Sequence, residues 1–406
     1  MTSEALLARV DGAIRDARAQ LVSLSHDVHD YAEPSFAEHR AAARVRDELA
    51  RAGFDVTETV ADLPTAFTAR FGSGDFVVGV CAEYDALPEI GHACGHNIIA
   101  TAAVGAGIGL AAVADELGLT VEVVGCPAEE HGGGKVLMLE RGCFDHHTVA
   151  LMVHPATADA DPATTFTQGV SRFAATFSGR AAHAAAAPTD GVNASDAAVV
   201  AQVAVGLLRQ QLPATARVGL FVRDGGQATN IIPERTIVDF EVREFDLERL
   251  RDLSRRVHAC FEAGALATGC TVEFEETEPE YAPLLQDARL ARPFADAVRG
   301  LGRTVLDASD MTGGSTDMGN VSQYLPSIHP MIDVKGSGNP PHTRAFADDA
   351  AAPGGDEAAV DGAIAMARAI VEVASDPGVR RDLLAEQSAR APYATSAVAT
   401  SVGTRS

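Results

Sequence analysis

The stretch FVVGVCAEYDALP (residues 76–88) decides how the chain folds. Apolar residues run on without alternation and end in acids and a proline. A strand with one wet face alternates polar and apolar residues. An unbroken apolar run instead reads as a strand buried on both faces, as in a parallel sheet. Two further runs have the same character, TVEVVGCPAEE (120–130) and HTVALMVHP (147–155). Between them lie helical patterns: HRAAARVRDELARAG (39–53), stopped by Gly53, and the small-residue segment NIIATAAVGAGIGLAAVADELG (97–118). Residues 4–30 read as one amphipathic helix. Strands alternating with helices, each strand closing on polar residues, predict a doubly wound α/β domain with its site at the carboxyl edge of the sheet.

Past residue 165 the texture changes. Strand alternation marks 166–188, 216–226 and 234–245, with helical stretches at 193–212 and 247–267. This predicts an inserted α+β unit over 166–280, leaving 1–165 and 281–406 as one discontinuous domain. Within ERTIVDFEVREF, Val238, Phe240 and Val242 share one face, and Asp239, Glu241 and Arg243 share the other. The final stretch, 387–406, is poor in large apolar residues and reads as a frayed tail.

Bulk properties bound the function. At 406 residues the chain is long enough for two domains, and 47% hydrophobic with 22% charged residues is ordinary globular composition. A net charge of −24 argues against nucleic acid or an anionic membrane as partner, because phosphates would be repelled. No segment has the length and apolarity of a membrane span, and residues 1–21 lack the apolar core of a signal peptide. Six irregularly spaced cysteines are no disulfide framework, so a reducing, cytoplasmic setting is expected.

The chemistry gathers at the strand ends. GHACGHN (91–97) places Cys94 and His96 on a small-residue scaffold; it is either a metal-bearing loop or a buried His-rich turn. Asp85 precedes it, Glu129 and Glu130 follow the second strand, His154 follows the third, and His342 sits in NPPHTRAFA. Each alone has an ordinary structural reading, and His92 is read as structural. Their recurrence at successive strand ends is harder to dismiss. Thiolate, imidazole and carboxylate suit zinc or a similar ion. Five ligands exceed the needs of one tetrahedral ion with an open position, but suit two ions if Cys94 bridges. Of the adjacent pair Glu129 and Glu130, one can ligate while the other stays free as general base. Asp85 is better placed to orient a ligating histidine. GGGK (132–135) is not a phosphate loop, since no Ser or Thr follows Lys135.

Together, EYDALPEIGHACGHN (83–97), PAEEHGGGK (127–135), LMVHP (151–155), GRAAHAAAAPTDGVNASDA (179–197), GQATNIIPE (226–234), GSTDMGN (314–320) and PPHTRAFA (340–347) resemble a known family. It is that of the two-domain metallopeptidases and amidohydrolases, which includes carboxypeptidase G, aminoacylase and the hippurate and auxin-conjugate hydrolases. The likeness is greatest to the branch with aminobenzoyl-glutamate hydrolase and Xaa-Arg dipeptidase-like proteins, and it covers about residues 20–375.

The resemblance implies two divalent ions per chain, bridged by Cys94. Glu130 and His342 would complete one ligand set, and His96 and His154 the other. Glu129 would be the general base. The insert would be a lid and dimerisation domain. His183 would stabilise the oxyanion, in many relatives in the partner subunit's site, while Asn230 and Arg243 would hold the substrate's carbonyl and carboxylate. Zinc is favoured by the cysteine and imidazoles; manganese or cobalt would also serve. The implied activity is hydrolysis of an amide in a dipeptide or N-acyl amino acid by a homodimer. The rival is a non-catalytic relative acting as a binding or regulatory partner. Departures from the family pattern are Asn97 where Asp is usual in one branch, Cys126 before PAEE, and GSTD in place of an ED pair. His329 is expected in the core or lining the pocket.

Overall fold

The computed structural model describes residues 2–309 and 314–393. Its central sheet has the order β1-β2-β4-β3-β5-β11. These strands are β1 (Asp55–Glu58), β2 (Phe67–Gly72), β3 (Phe76–Glu83), β4 (Leu119–Cys126), β5 (Val149–Leu151) and β11 (Ser327–Ile328). Strands β4, β3, β5 and β11 are parallel, and β2 and β1 extend the β4 edge antiparallel. β3 and β4 are buried along their whole length, as their unbroken apolar runs predict.

Successive side chains enter two different cores. Val78, Val80, Ala82, Val121 and Val123 face one, beneath helices Ser3–Asp16, Arg18–Tyr31, His96–Ala111 and Pro353–Ser375. Cys81, Val124 and Cys126 face the other, beneath helices Gly134–Glu140 and Met318–Tyr324. The sheet is thus wound on both faces, the α/β arrangement expected.

A second, four-stranded antiparallel sheet has the order β10-β7-β9-β8. Its strands are β7 (Gly169–Ser178), β8 (Arg217–Asp224), β9 (Arg235–Glu244) and β10 (Thr271–Tyr281). Helices Ala194–Leu208 and Leu247–Thr268 pack on one face, giving a core of its own around Phe177, Val238, Phe240, Val242 and Phe261. Asp239, Glu241 and Arg243 lie on the opposite, half-buried face.

Three elements differ from expectation. The helix expected over 4–30 is two helices, because Ala17 has ψ near 0 and turns the chain. Each half buries its own stripe, Leu6, Val10 and Ile14 in one and Leu21, Leu24 and Val28 in the other. The run 147–155 becomes two short strands in separate sheets, β5 and β6 (His154–Ala156), the latter pairing with β12 (Met331–Asp333). Pro330 lies between the facing strands β11 and β12 and has no N–H to continue the ladder. The tail read as frayed begins in order: helix Pro377–Ala389 includes Gln387, and Tyr393 packs edge-on against Tyr324. Residues 394–406 of that expected tail lie outside the described residues. No helix among the described residues is long and apolar enough to cross a membrane.

Candidate metal centre

The carboxyl ends of β3 and β4, and the loops after them, converge as parallel packing requires. Gly95 sits between Cys94 and His96 at φ +76, and a Cβ there would lie 2.5 Å from the Pro155 ring. Only glycine lets this loop reach the segment carrying His154. Cys94 Sγ is 3.4 Å from His154 Nε2. His342, at φ +65, is pinned by its backbone N–H donating to the Ala93 carbonyl at 2.7 Å.

Two groups that could each hold a metal ion result, the triads Cys94–His96–His154 and Cys94–Glu130–His342, each with its candidate ligand atoms within 4.8 Å of one another. They share the Cys94 sulfur. A third grouping, Glu83–His96–Glu129, lies against the first. His342 Nε2 is 3.8 Å from Glu130 Oε2, and His96 Nε2 is 3.8 Å from Glu130 Oε1. These distances are too long for hydrogen bonds. His96 Nε2 and Glu130 Oε1 are both buried with no hydrogen-bond partner among the described residues. Buried polar atoms are ordinarily paired, so orphans converging at one place fit a centre built to hold cations.

The electrostatics agree. His96 Nδ1 is 2.9 Å from Asp85 Oδ1, which aims Nε2 into the gap. Burial disfavours a charged His96, but the Asp85 carboxylate outweighs it and holds the pKa well above the ordinary value. Burial opposes ionisation of Asp85 too, yet His96, the Glu130 N–H and the Ser35 hydroxyl keep it below the usual carboxylate range. A field that favours a proton on His96 would also favour a metal cation there. Burial and the Glu130 carboxylate push the Cys94 thiol up, so an ion must displace its proton. Burial and the His96 charge press His154 down to about 4, leaving a lone pair free. Burial, reinforced by Glu83, Glu130 and Asp317, lifts Glu129 well above the ordinary carboxylate range.

Behind the centre lies a charge cluster that sequence reading missed. Lys135 is fully buried, its ammonium donating to Glu83 Oε1 and, at 2.6 Å, to Asp317 Oδ1. Its backbone N–H donates to Asp317 Oδ2 at 2.8 Å. The available signals were an acid ending an apolar strand, a lysine after three glycines, and the Asp of GSTD. Glu38 was missed too: it accepts from Ala128 N at 2.9 Å and Thr65 Oγ1 at 2.9 Å, bracing the residue before Glu129. Burial and the Asp85 charge push it up to about 7. Lys135→Met leaves two buried carboxylates without their cation. Removing one partner of a buried ion pair costs about 3–5 kcal/mol. Urea denaturation of the metal-free protein should show a loss of that size, and an unchanged midpoint would contradict the role given to Lys135.

A cleft of about 710 Å³ opens over the centre, lined by Cys94, Glu129, Glu130, His154, Arg243 and His342 among others. Arg243 donates to Ser315 Oγ at 3.1 Å, so it reaches the cleft from the second sheet. Arg172 lines the cleft as well and was not anticipated. Tyr281 ends β10 and donates to the Glu129 carbonyl at 2.8 Å. His183 and Asn230 lie elsewhere: exposed neighbours on the second sheet's periphery, joined by Ala184 N donating to the Asn230 carbonyl at 2.9 Å. They do not line the cleft of their own chain. His92 is structural, its Nε2 3.0 Å from the Val28 carbonyl. His329 is buried against His154, ring centres 5.4 Å apart, and lines the cleft.

Residues 79–371 match the description of peptidase family M20/M25/M40. The chain is 34% identical over 407 residues to the Xaa-Arg dipeptidase of Mus musculus, covering 93% of this chain and 92% of that protein. It is 33% identical over 296 residues to one of the subunits of the p-aminobenzoyl-glutamate hydrolase of Escherichia coli, covering 68% of this chain and 61% of that one. Among solved structures, a dinuclear metal-binding M20 peptidase from Bacillus subtilis shares the fold at a TM-score of 0.67 and 21% identity, covering 88% of this chain and 99% of that one.

Proposed function

This chain belongs to peptidase family M20/M25/M40, a metal-dependent amide hydrolase, and from that premise we propose that it cleaves a dipeptide with a basic C-terminal residue. Other dipeptides and N-acyl amino acids are the next candidates. The observation that carries the reading is the pair of ligand triads sharing Cys94, with Glu129 beside them.

In this proposal His96 and His154 would hold one ion with Cys94, and Glu130 and His342 would hold a second with the same Cys94. Zinc is the proposed occupant, given a thiolate and three imidazoles, and manganese or cobalt would sustain activity. A divalent ion held there would supply Lewis acidity, lowering the pKa of a water and polarising the scissile carbonyl. Glu129 accepts the water's proton and returns it to the leaving amine, a task its raised proton affinity suits. Asp85 keeps His96 in the ligating tautomer. Arg243 grips the substrate carboxylate, for which a planar guanidinium is well shaped.

We assign residues 1–165 and 281–406 to the catalytic domain and 166–280 to a lid that also dimerises. Supporting this are the open edge of β8 and an apolar stripe on helix Ala194–Leu208, where Val199, Val203 and Leu207 are all more than half exposed. In a homodimer His183 and Asn230 would complete the partner's site, His183 donating to the oxyanion and Asn230 to the substrate carbonyl. Six free cysteines suit a cytoplasmic protein.

The test is amine release from a panel of dipeptides and N-acyl amino acids, with chelator and with zinc, manganese or cobalt restored. Metal-dependent release from dipeptides ending in Arg or Lys is expected. Release only from acyl amino acids would move the substrate class, and metal-independent release would defeat the proposal.

A further inference from the structure

Opposite the catalytic edge, three other ligating groups meet. Glu122 lies on β4 four residues before Cys126, so the two positions are about 13 Å apart along the strand. His146 and His147 come from the loop entering β5. The ligand atoms of Glu122, His146 and His147 lie within 4.8 Å of one another. Both imidazoles present Nε2 to the same oxygen, at 3.1 Å and 3.2 Å from Glu122 Oε1.

Several features mark this as a built site. Glu122 and His147 are buried, while His146 is 44% exposed. His147 fits only because position 79 is glycine: a Cβ there would lie 2.8 Å from the imidazole. Among the described residues neither ring nitrogen of His147 has a hydrogen-bond partner, although Nε2 is 3.2 Å from the carboxylate. The ring is therefore close to Glu122 but not aligned to donate to it. In a tetrahedral zinc site with bonds of about 2.0–2.1 Å, neighbouring ligand atoms stand about 3.3–3.4 Å apart, close to the spacing here. The nearest competing cation, Arg70, is half exposed and lies 3.8 Å from the other oxygen, Oε2.

The loop is also held from outside. Gln387 donates to the His146 carbonyl at 2.7 Å, and Arg390 to the His147 carbonyl at 2.7 Å. Thr148 donates to Gln387 Oε1 at 2.7 Å.

We propose that Glu122, His146 and His147 form a separate binding site for a divalent transition ion of the zinc class. Its three protein ligands leave a fourth position open on the solvent side, beside His146. The ion would tie the 146–148 loop, and through it helix Pro377–Ala389, to the amino-terminal half of the central sheet.

The experiment compares zinc content per chain in the full-length wild type and in His146→Ala after equilibrium dialysis against Zn2+. His146 is exposed and outside the catalytic centre, so the variant should fold and hydrolyse substrate as the wild type does. It should hold one zinc ion fewer, a difference independent of how many ions the catalytic centre carries. Glu122→Gln should lose the same ion, and Cys94→Ala should keep it. Equal zinc in wild type and His146→Ala overturns the proposal, leaving an ordinary imidazole–carboxylate contact. So does a Cys94→Ala protein that binds no zinc.

Discussion

Replacing Glu129 with glutamine lowers kcat by about 10²- to 10⁴-fold, the usual contribution of a positioned general base, and leaves metal content unchanged. The substitution keeps shape and removes only proton affinity. Glu129 belongs to neither triad that shares Cys94, which is why the ions should stay. It does stand within ligand range of His96 and Glu83, with Oε2 3.8 Å from His96 Nε2, so a ligating role is the concrete rival. The two roles separate in one preparation. A base that is lost costs turnover alone, and a ligand that is lost costs an ion as well. Stability should not suffer, because Glu83, Glu130 and Asp317 crowd Glu129 with like charge, which an amide does not feel. Metal analysis, kcat and thermal unfolding on the same sample decide the matter. Turnover within tenfold of wild type removes Glu129 from the base role.

What could be read from the sequence was whatever the chain carries locally. Cys94, His96, Glu129, Glu130 and His154 each follow an apolar run, and a parallel sheet sends the ends of such runs to one edge. His342, far along the chain, is legible from its own Gly/Pro-rich loop. Arg243 could be placed on a face because a strand's period is two.

What escaped was whatever depends on long-range partners. Lys135 meets Asp317 across 182 positions of sequence, and its burial is intelligible only once both carboxylates are in place. GGGK by itself suggests a loop lysine. Glu122 and the His146–His147 pair likewise look like a strand acid and a polar turn until Gly79 brings the imidazole down onto the sheet. The split of 147–155 between two sheets falls opposite Pro330 in the facing segment, far along the chain. His183 and Asn230 carry a family motif, but their motif does not place them in their own chain's cleft.

Cys94→Ala should cost both catalytic ions, because its sulfur is the one vertex common to both triads. His342→Ala, by contrast, strips a ligand from one triad only and should cost one ion. Losing even the supporting partner of a ligand typically weakens metal affinity about 10- to 100-fold, and losing a shared ligand should exceed that at both sites. The fold should survive. In the metal-free protein the buried thiol is held protonated by burial and by the Glu130 charge, so alanine removes a small neutral group. An ion present at about 100 times its Kd adds about 2.7 kcal/mol to folding stability. The two catalytic sites should therefore add two increments to the thermal stability that wild type gains on zinc addition, and His342→Ala should lack one of them. In Cys94→Ala both should be gone, hydrolysis should fall to background, and the zinc count should drop by two per chain. A Cys94→Ala protein that loses a single ion would mean that the sulfur serves only one metal. The second site would then rest on Glu130, His342 and a ligand not yet assigned.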